Sequence, residues 1–188
     1  MRLVDPHVRY HRSYLAMLDE LAEVGEEHYA RLPSWAAEGD VPEVDFTRES
    51  IEDPDVFAEM VEFHLLHRDP AAPRPRAFVP ATELWMVEDD QVVGRISLRH
   101  DLNELLYTWG GHIGYVVRPS ARGRGHAKAA LAGMLEVCRR MEIDPVLVTC
   151  DVDNVASRRT IEGAGGVFED TREGKLRFWI DLEQAPRR

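Results

Sequence analysis

The run that most limits what this chain can become is Val116-Val117-Arg118-Pro119-Ser120-Ala121-Arg122-Gly123-Arg124-Gly125-His126-Ala127. It joins an apolar strand pattern, His112 to Val117, to the clearest helical period in the chain. There Ala127, Ala130, Leu131, Met134, Leu135 and Cys138 recur on one face. Pro119 cannot donate to a ladder, so it ends the strand. Gly123 and Gly125 let the backbone turn tightly and approach a ligand. The helix predicted over Gly125 to Met141 leaves its first N–H groups unpaired, and with the positive end of the dipole they form an anion site. Arg122, Arg124 and Lys128 add charge around it. A phosphate or pyrophosphate is the natural ligand. A Walker loop is excluded because G-x-x-x-x-G-K-S/T is absent, and a dinucleotide fingerprint fails because Lys128 stands where its third glycine belongs.

The rest of the chain divides by composition. Residues 1–80 are acidic and helical in period. Tyr14, Met17, Leu18, Leu21 and Gly25 mark one helix face. The stretch Leu32 to Ser50 reads as a loop. Asp53 as N-cap and Pro54 at the first helical position open a second helix, with Phe57, Met60, Val61 and His64 as its buried stripe. Asp69 to Pro80 holds four prolines and reads as a connector. Beyond it, Glu83 to Glu88 and Val92 to Arg99 form a hairpin around Asp89-Asp90. In the second strand Val92, Gly94, Ile96 and Leu98 alternate with Val93, Arg95, Ser97 and Arg99, as in a half-buried strand. Pro145 to Cys150 is short and almost wholly apolar, as expected of a strand covered on both faces. Asn154 to Ala164 is a helix closed by Gly165 and Gly166, and Val167 to Glu169 and Lys175 to Leu182 are the last strands. A strand-helix-strand unit in the middle implies a parallel pair inside a mixed sheet.

Length and charge narrow the function classes. A chain of 188 residues, 44% hydrophobic and 30% charged, suits one soluble domain. The net charge of −11 argues against nucleic acid as a partner. No apolar run reaches the roughly 18 residues of a membrane span, and the first residues lack a signal-peptide pattern. Cys138 and Cys150 form no C-x-x-C pair and read as reduced core residues of a cytoplasmic protein. His7 and His11, and His64 and His67, have helical spacing but no third ligand, so no metal is expected.

The loop pattern R-x-x-G-x-A at Arg122, Gly125 and Ala127, preceded by V-x-P at Val117-Arg118-Pro119, resembles the pyrophosphate loop of the GNAT superfamily of N-acetyltransferases. Asn154-Val-Ala-Ser157, Ile161-Glu162 and Gly165-Gly166 resemble the N-x-x-S…I-E…G-G block that many members carry after the fifth strand. Ile113-Gly114-Tyr115 and Arg177-Phe178-Trp179-Ile180 are also similar. The resemblance spans about residues 83–182. It implies an α/β fold: a mixed, mostly antiparallel sheet with a splayed parallel pair and helices on both faces. Residues 1–80 then form a helical N-terminal portion, and 83–182 the cofactor-binding core of one acyltransferase domain over 1–188. It implies acetyl-coenzyme A as cosubstrate, its pantetheine arm in the gap between His112–Val117 and Pro145–Cys150. Its pyrophosphate would rest on Gly123, Arg124, Gly125, His126 and Ala127 beside Arg122. The thioester carbonyl would meet a backbone N–H near Val116 and Val117. Asn154 would face the pantetheine, while also suiting a helix N-cap.

Acetyl transfer needs a neutral amine, so a proton acceptor is required. His112, on the strand beside the gap, is the first candidate; Glu104, in the Asp101-Leu-Asn-Glu loop, is the second. Many relatives carry a tyrosine seven residues after the asparagine to protonate the leaving thiolate. Ile161 stands there in this chain, which leaves Ser157, water or no acid at all. The expected reaction is therefore acetyl transfer to a primary amine of a small molecule or peptide. The competing reading is a non-catalytic module that senses acyl-coenzyme A. Either reading leaves a homodimer open.

Overall fold

The computed structural model describes residues 1–183. Its elements are β1 (Arg2–Val4), α1 (His11–Glu23), β2 (Ser34–Trp35), β3 (Val44–Asp45), α2 (Pro54–Leu66), β4 (Ala81–Glu88), β5 (Gln91–Arg99), β6 (Ile113–Val117), α3 (His126–Arg140), β7 (Val146–Asp151), α4 (Val155–Glu162), β8 (Val167–Arg172) and β9 (Lys175–Ile180). Seven strands form one sheet in the order β1-β4-β5-β6-β7-β9-β8. Every neighbouring pair is antiparallel except β6–β7, which is parallel. The implied fold class is the one observed.

The tight hairpin between β4 and β5 works because Asp89 and Asp90 both take positive φ, 48° and 58°, the twist that a two-residue hairpin turn needs. Gly94 on β5 is a close-approach position: a Cβ there would sit 2.5 Å from the carbonyl oxygen of Val116. Helix α2 starts where Asp53 accepts a hydrogen bond from the Asp55 N–H at 2.8 Å and Pro54 needs no donor.

Each face of the sheet buries its own cluster. Met86, Ile96, Leu98, Ile113, Val148 and Phe178 meet Leu131 and Met134 of α3 on one face. Trp85, Val92 and Val116 meet Tyr14, Met17 and Leu21 of α1 and Phe57 and Met60 of α2 on the other. Both cysteines are buried and free.

Four features differ from the sequence reading. The polar N-terminus supplies β1, which pairs with β4 through Leu3↔Met86. The expected loop Leu32 to Ser50 holds a small antiparallel pair, β2 with β3. Strand β8 runs on to Arg172 because it pairs with β9 as far as Lys175. The segment before β6 carries a short π-helix, Leu106–Gly110, with Tyr107 and Trp109 exposed on it. Among the described residues no helix is long and apolar enough to cross a membrane.

Candidate active site

The parallel pair is joined at a single register position, Ile113↔Val148. Beyond it the strands part. Residues of β6 alternate in the direction of their backbone groups. The Arg99 N–H donates to the His112 oxygen and the Arg118 N–H to the Val93 oxygen, so the His112 carbonyl, Gly114, Val116 and the Arg118 N–H address β5, while the His112 N–H turns to β7. Tyr115 and Val117 therefore turn their N–H and C=O groups toward β7, where no strand pairing continues. The result is a gap lined by backbone donors and acceptors. An extended amide chain can bond there as a strand would.

The gap opens onto the glycine loop. Gly125 is the N-cap of α3 with φ 81°, in the left-handed region, and provides no side-chain cap. The Ala129 N–H makes the first helical bond, back to the Gly125 oxygen. The N–H groups of His126, Ala127 and Lys128 precede it and are the helix's unpaired donors. Gly123 also has positive φ, 76°, and no atom lies within 4 Å of a would-be Cβ at either glycine, so open space fronts the loop.

The surrounding charges are held in place. Glu20 of α1 accepts from Arg118 Nε at 2.7 Å and from the Ser120 N–H at 3.1 Å. The Arg118 guanidinium and these hydrogen bonds hold its carboxyl group down at about 2. Arg122 donates from Nε to the Val117 oxygen at 3.1 Å and pairs with Glu26. Arg124 pairs with Glu88. The side chain of His126 is buried, facing Glu88 rather than the loop, so only its backbone faces an anion.

On the α4 side of the gap stands a hydroxyl pair. Tyr115 OH lies 2.8 Å from Ser157 Oγ, and Asn154 Oδ1 caps α4 by accepting the Ser157 N–H at 2.9 Å. Burial pushes the Tyr115 phenol up to about 12. Cys150 lies next to this pair, and burial pushes its thiol up as well. Sequence reasoning noted the missing tyrosine on α4 and overlooked the one on β6. Tyr115 shares the inward side of β6 with Ile113, and that period was the available signal.

The two proposed bases fall in different settings. His112 is 7% exposed, and its Nδ1 accepts the Leu147 N–H at 2.9 Å while its own N–H donates to the Leu147 oxygen at 2.7 Å. Burial drives its pKa down to about 4, so it is neutral. The lone pair that a base would use is engaged in clamping β6 to β7. Glu104 is exposed at the start of the segment leading into the π-helix. The structure does not bring it together with His112 or Ser157 in any hydrogen bond or ion pair.

A further group was not read from the sequence. Glu83 of β4 and Arg95 and Arg99 of β5 lie on the face covered by α1 and α2. Arg95 reaches Tyr14 OH at 3.2 Å and the Arg31 oxygen at 2.6 Å, with its Nε 3.6 Å from Glu83. Burial raises the Glu83 carboxyl pKa. At the far end of β7, Asp151 is claimed by Lys175 and by Tyr29 OH at 2.9 Å.

The fold has counterparts among known proteins. The family model for the acetyltransferase (GNAT) domain matches residues 20–167. No curated protein matches the chain by sequence. Among solved structures, Mycobacterium smegmatis RimJ in complex with a coenzyme A disulfide superposes with a TM-score of 0.63 at 18% identity, over 98% of this chain and 83% of that one. The microcin C7 self-immunity acetyltransferase MccE, in complex with acetyl-coenzyme A and AMP, gives 0.61 at 13% identity, over 95% and 91%. A spermidine N-acetyltransferase SpeG chimera from Vibrio cholerae and hSSAT gives 0.59 at 15% identity, over 98% of each chain. With the model covering most of its length and its splayed sheet matching, the chain belongs to the GNAT acetyltransferase family.

Proposed function

We propose that this chain transfers an acetyl group from acetyl-coenzyme A to a primary amine by direct attack of the amine on the thioester. The observation that carries the reading is the junction of two features at one strand end. The backbone gap beside β6 leads to Val117, and the uncapped N-terminus of α3 follows it across the glycine loop. Coenzyme A combines the two matching chemistries, an amide-bearing arm and a pyrophosphate.

Each residue then has a role. The N–H groups of His126, Ala127 and Lys128 hold the pyrophosphate, with Gly123 and Gly125 shaping the approach. Arg122 and Arg124 turn from Glu26 and Glu88 to the phosphates. Val117 offers its N–H to the thioester oxygen, where negative charge builds as nitrogen bonds to carbon. Val116 packs behind it, and Asn154 orders the start of α4.

An alkylammonium has a pKa of about 10, so it must lose a proton before attack. We assign that proton to water leading toward Glu83, a buried carboxylate whose pKa burial raises, which makes it a stronger proton acceptor than a free one. His112 fixes β6 to β7, and Glu104 contributes to the loop. As the C–N bond forms and the C–S bond breaks, the departing sulfur takes a proton from the Tyr115–Ser157 hydroxyl pair.

The test is an amine-library screen with acetyl-coenzyme A, following free thiol and acetylated product together. Turnover with any amine supports transfer. A melting shift with coenzyme A, but no product from any amine, favours the acyl-coenzyme A sensor instead.

A further inference from the structure

Ser97 and Gly114 are register partners in the middle of the sheet, with strands on both sides. Both remain partly exposed, on the face that α1 and α2 cover elsewhere with a dry cluster. Two residues this small leave the face incompletely covered there, which we read as a shallow hollow. Its rim follows from the register: Glu83 opposite Ser97 on β4, Arg95 and Arg99 flanking Ser97 on β5, and Val116 flanking Gly114 on β6. Gly114 is adjacent to Ile113, the residue paired with β7, so the hollow meets the apex of the gap, where the two strands begin to part.

Arg99 is the distinctive group. Its guanidinium lies over Gly114: a Cβ there would sit 3.3 Å from Nη1 and 3.4 Å from Nη2. Nη1 is anchored on the carbonyl oxygens of Gly110 at 3.0 Å and Gly111 at 3.4 Å. Its Nε and Nη2 donate to no protein atom among the described residues. Arg95, in contrast, uses Nη1 and Nη2 on Tyr14 and Arg31 and sets Nε beside Glu83. Glu83 offsets one guanidinium charge and leaves the other. Asp151, the carboxylate at the far end of the gap, is neutralised by Lys175. A chain of net charge −11 thus sets two guanidinium groups against one carboxylate at the apex of its reaction gap, where burial opposes the charge on Arg99. A bound anion would relieve that opposition, and a guanidinium fork suits a carboxylate or phosphate.

We propose that this hollow is the acceptor subsite and that it selects a small amine bearing a carboxylate or phosphate, which Arg99 binds through Nε and Nη2. The inference rests on the acetyl-transfer reading above. Gly114 and Val117 are three residues apart on β6, about 10 Å of strand. The amine and the anionic group of the acceptor are therefore within about 10 Å of one another. A polyamine, cationic along its length, is disfavoured by the same charge.

The test measures binding to the protein loaded with coenzyme A. Matched amines are compared: β-alanine with 3-aminopropan-1-ol, O-phosphoethanolamine with ethanolamine, and spermidine as the cationic member. At least one anionic amine binds about tenfold or more tighter than its neutral match and tighter than spermidine; which pair shows the larger ratio separates carboxylate from phosphate. Arg99→Gln removes the ratio while the coenzyme A melting shift persists. Gly114→Ala, which displaces the guanidinium without removing it, reduces the ratio and guards against a misfolded arginine variant. The proposal is overturned if neither anionic amine binds, if spermidine or the neutral amines bind as tightly, or if the ratio survives in both variants. A wild-type protein that coenzyme A does not stabilise would instead overturn the acetyl-transfer reading beneath it.

Discussion

Replacing His112 separates a strand clamp from a general base. In the structure its Nδ1 accepts the buried Leu147 N–H at 2.9 Å. His112→Ala deletes that acceptor and leaves a buried donor without a partner. Stranding the donor and losing the imidazole packing together cost about 2–3 kcal/mol. For a chain of this length that lowers Tm by about 4–12 °C. His112→Asn sets an amide oxygen near the same place and should recover part of the loss. Turnover in the asparagine variant should stay within about tenfold of the parent. Differential scanning calorimetry and steady-state kinetics on the same preparations decide the matter. A base role predicts the opposite pattern: turnover down by about 10²–10⁴-fold in both variants with little change in Tm. The pH dependence gives a second reading. The folded pKa of His112, about 4, lies below the ordinary 6.5, so below 6.5 the unfolded chain binds the proton more readily. Stability from this group is complete above pH 6.5 and is lost as pH falls toward 4. The asparagine variant should therefore lose less stability across that window than the parent does.

Other perturbations test the neighbouring assignments. Gly125→Asp puts a side chain at φ 81° and a negative charge in front of the α3 donors. It should abolish the coenzyme A melting shift, which in the parent corresponds to about 2.7 kcal/mol at 100 times the dissociation constant. Tyr115→Phe and Ser157→Ala should each lower turnover by no more than about tenfold, because either hydroxyl can stand in for the other and a thiol with a pKa near 8.5 leaves readily. The double variant should fall further than the product of the two single losses, as measured by turnover with a saturating amine. Arg177, fully buried and paired with Glu169 and Asp170, should cost about 3 kcal/mol or more when truncated in Arg177→Ala, read as a lowered denaturation midpoint.

The legible parts of this molecule were those whose chemistry is local. The glycine loop, the N-cap at Asp53 and the alternation of β5 each follow from a few consecutive residues, and each forms where expected. The face that carries Glu83, Arg95 and Arg99 was hidden because it depends on which layer covers which side of the sheet. Arg95, Ser97 and Arg99 look like the wet side of a half-buried strand until α1 and α2 are placed over them. Two amphipathic helices preceding the sheet had to bury their apolar stripes somewhere, and that requirement was the available clue. The pairing of Tyr115 with Ser157 spans 42 residues of sequence and depends on the angle at which α4 leaves β7, which no local pattern encodes. His112 was read as the first residue of the strand and lies immediately before β6, and its tautomer and its partner Leu147 are properties of the β6–β7 junction rather than of the strand alone. The N-terminal β1 was missed because its three residues gain their structure from the exposed edge of β4.

The most direct measurement is a crystal structure of the protein grown with coenzyme A. The account predicts pyrophosphate oxygens on the N–H groups of His126, Ala127 and Lys128, the pantetheine arm between β6 and β7, and the sulfur beside the Tyr115–Ser157 pair. Coenzyme A bound elsewhere, with the β6–β7 gap closed or empty, would contradict it.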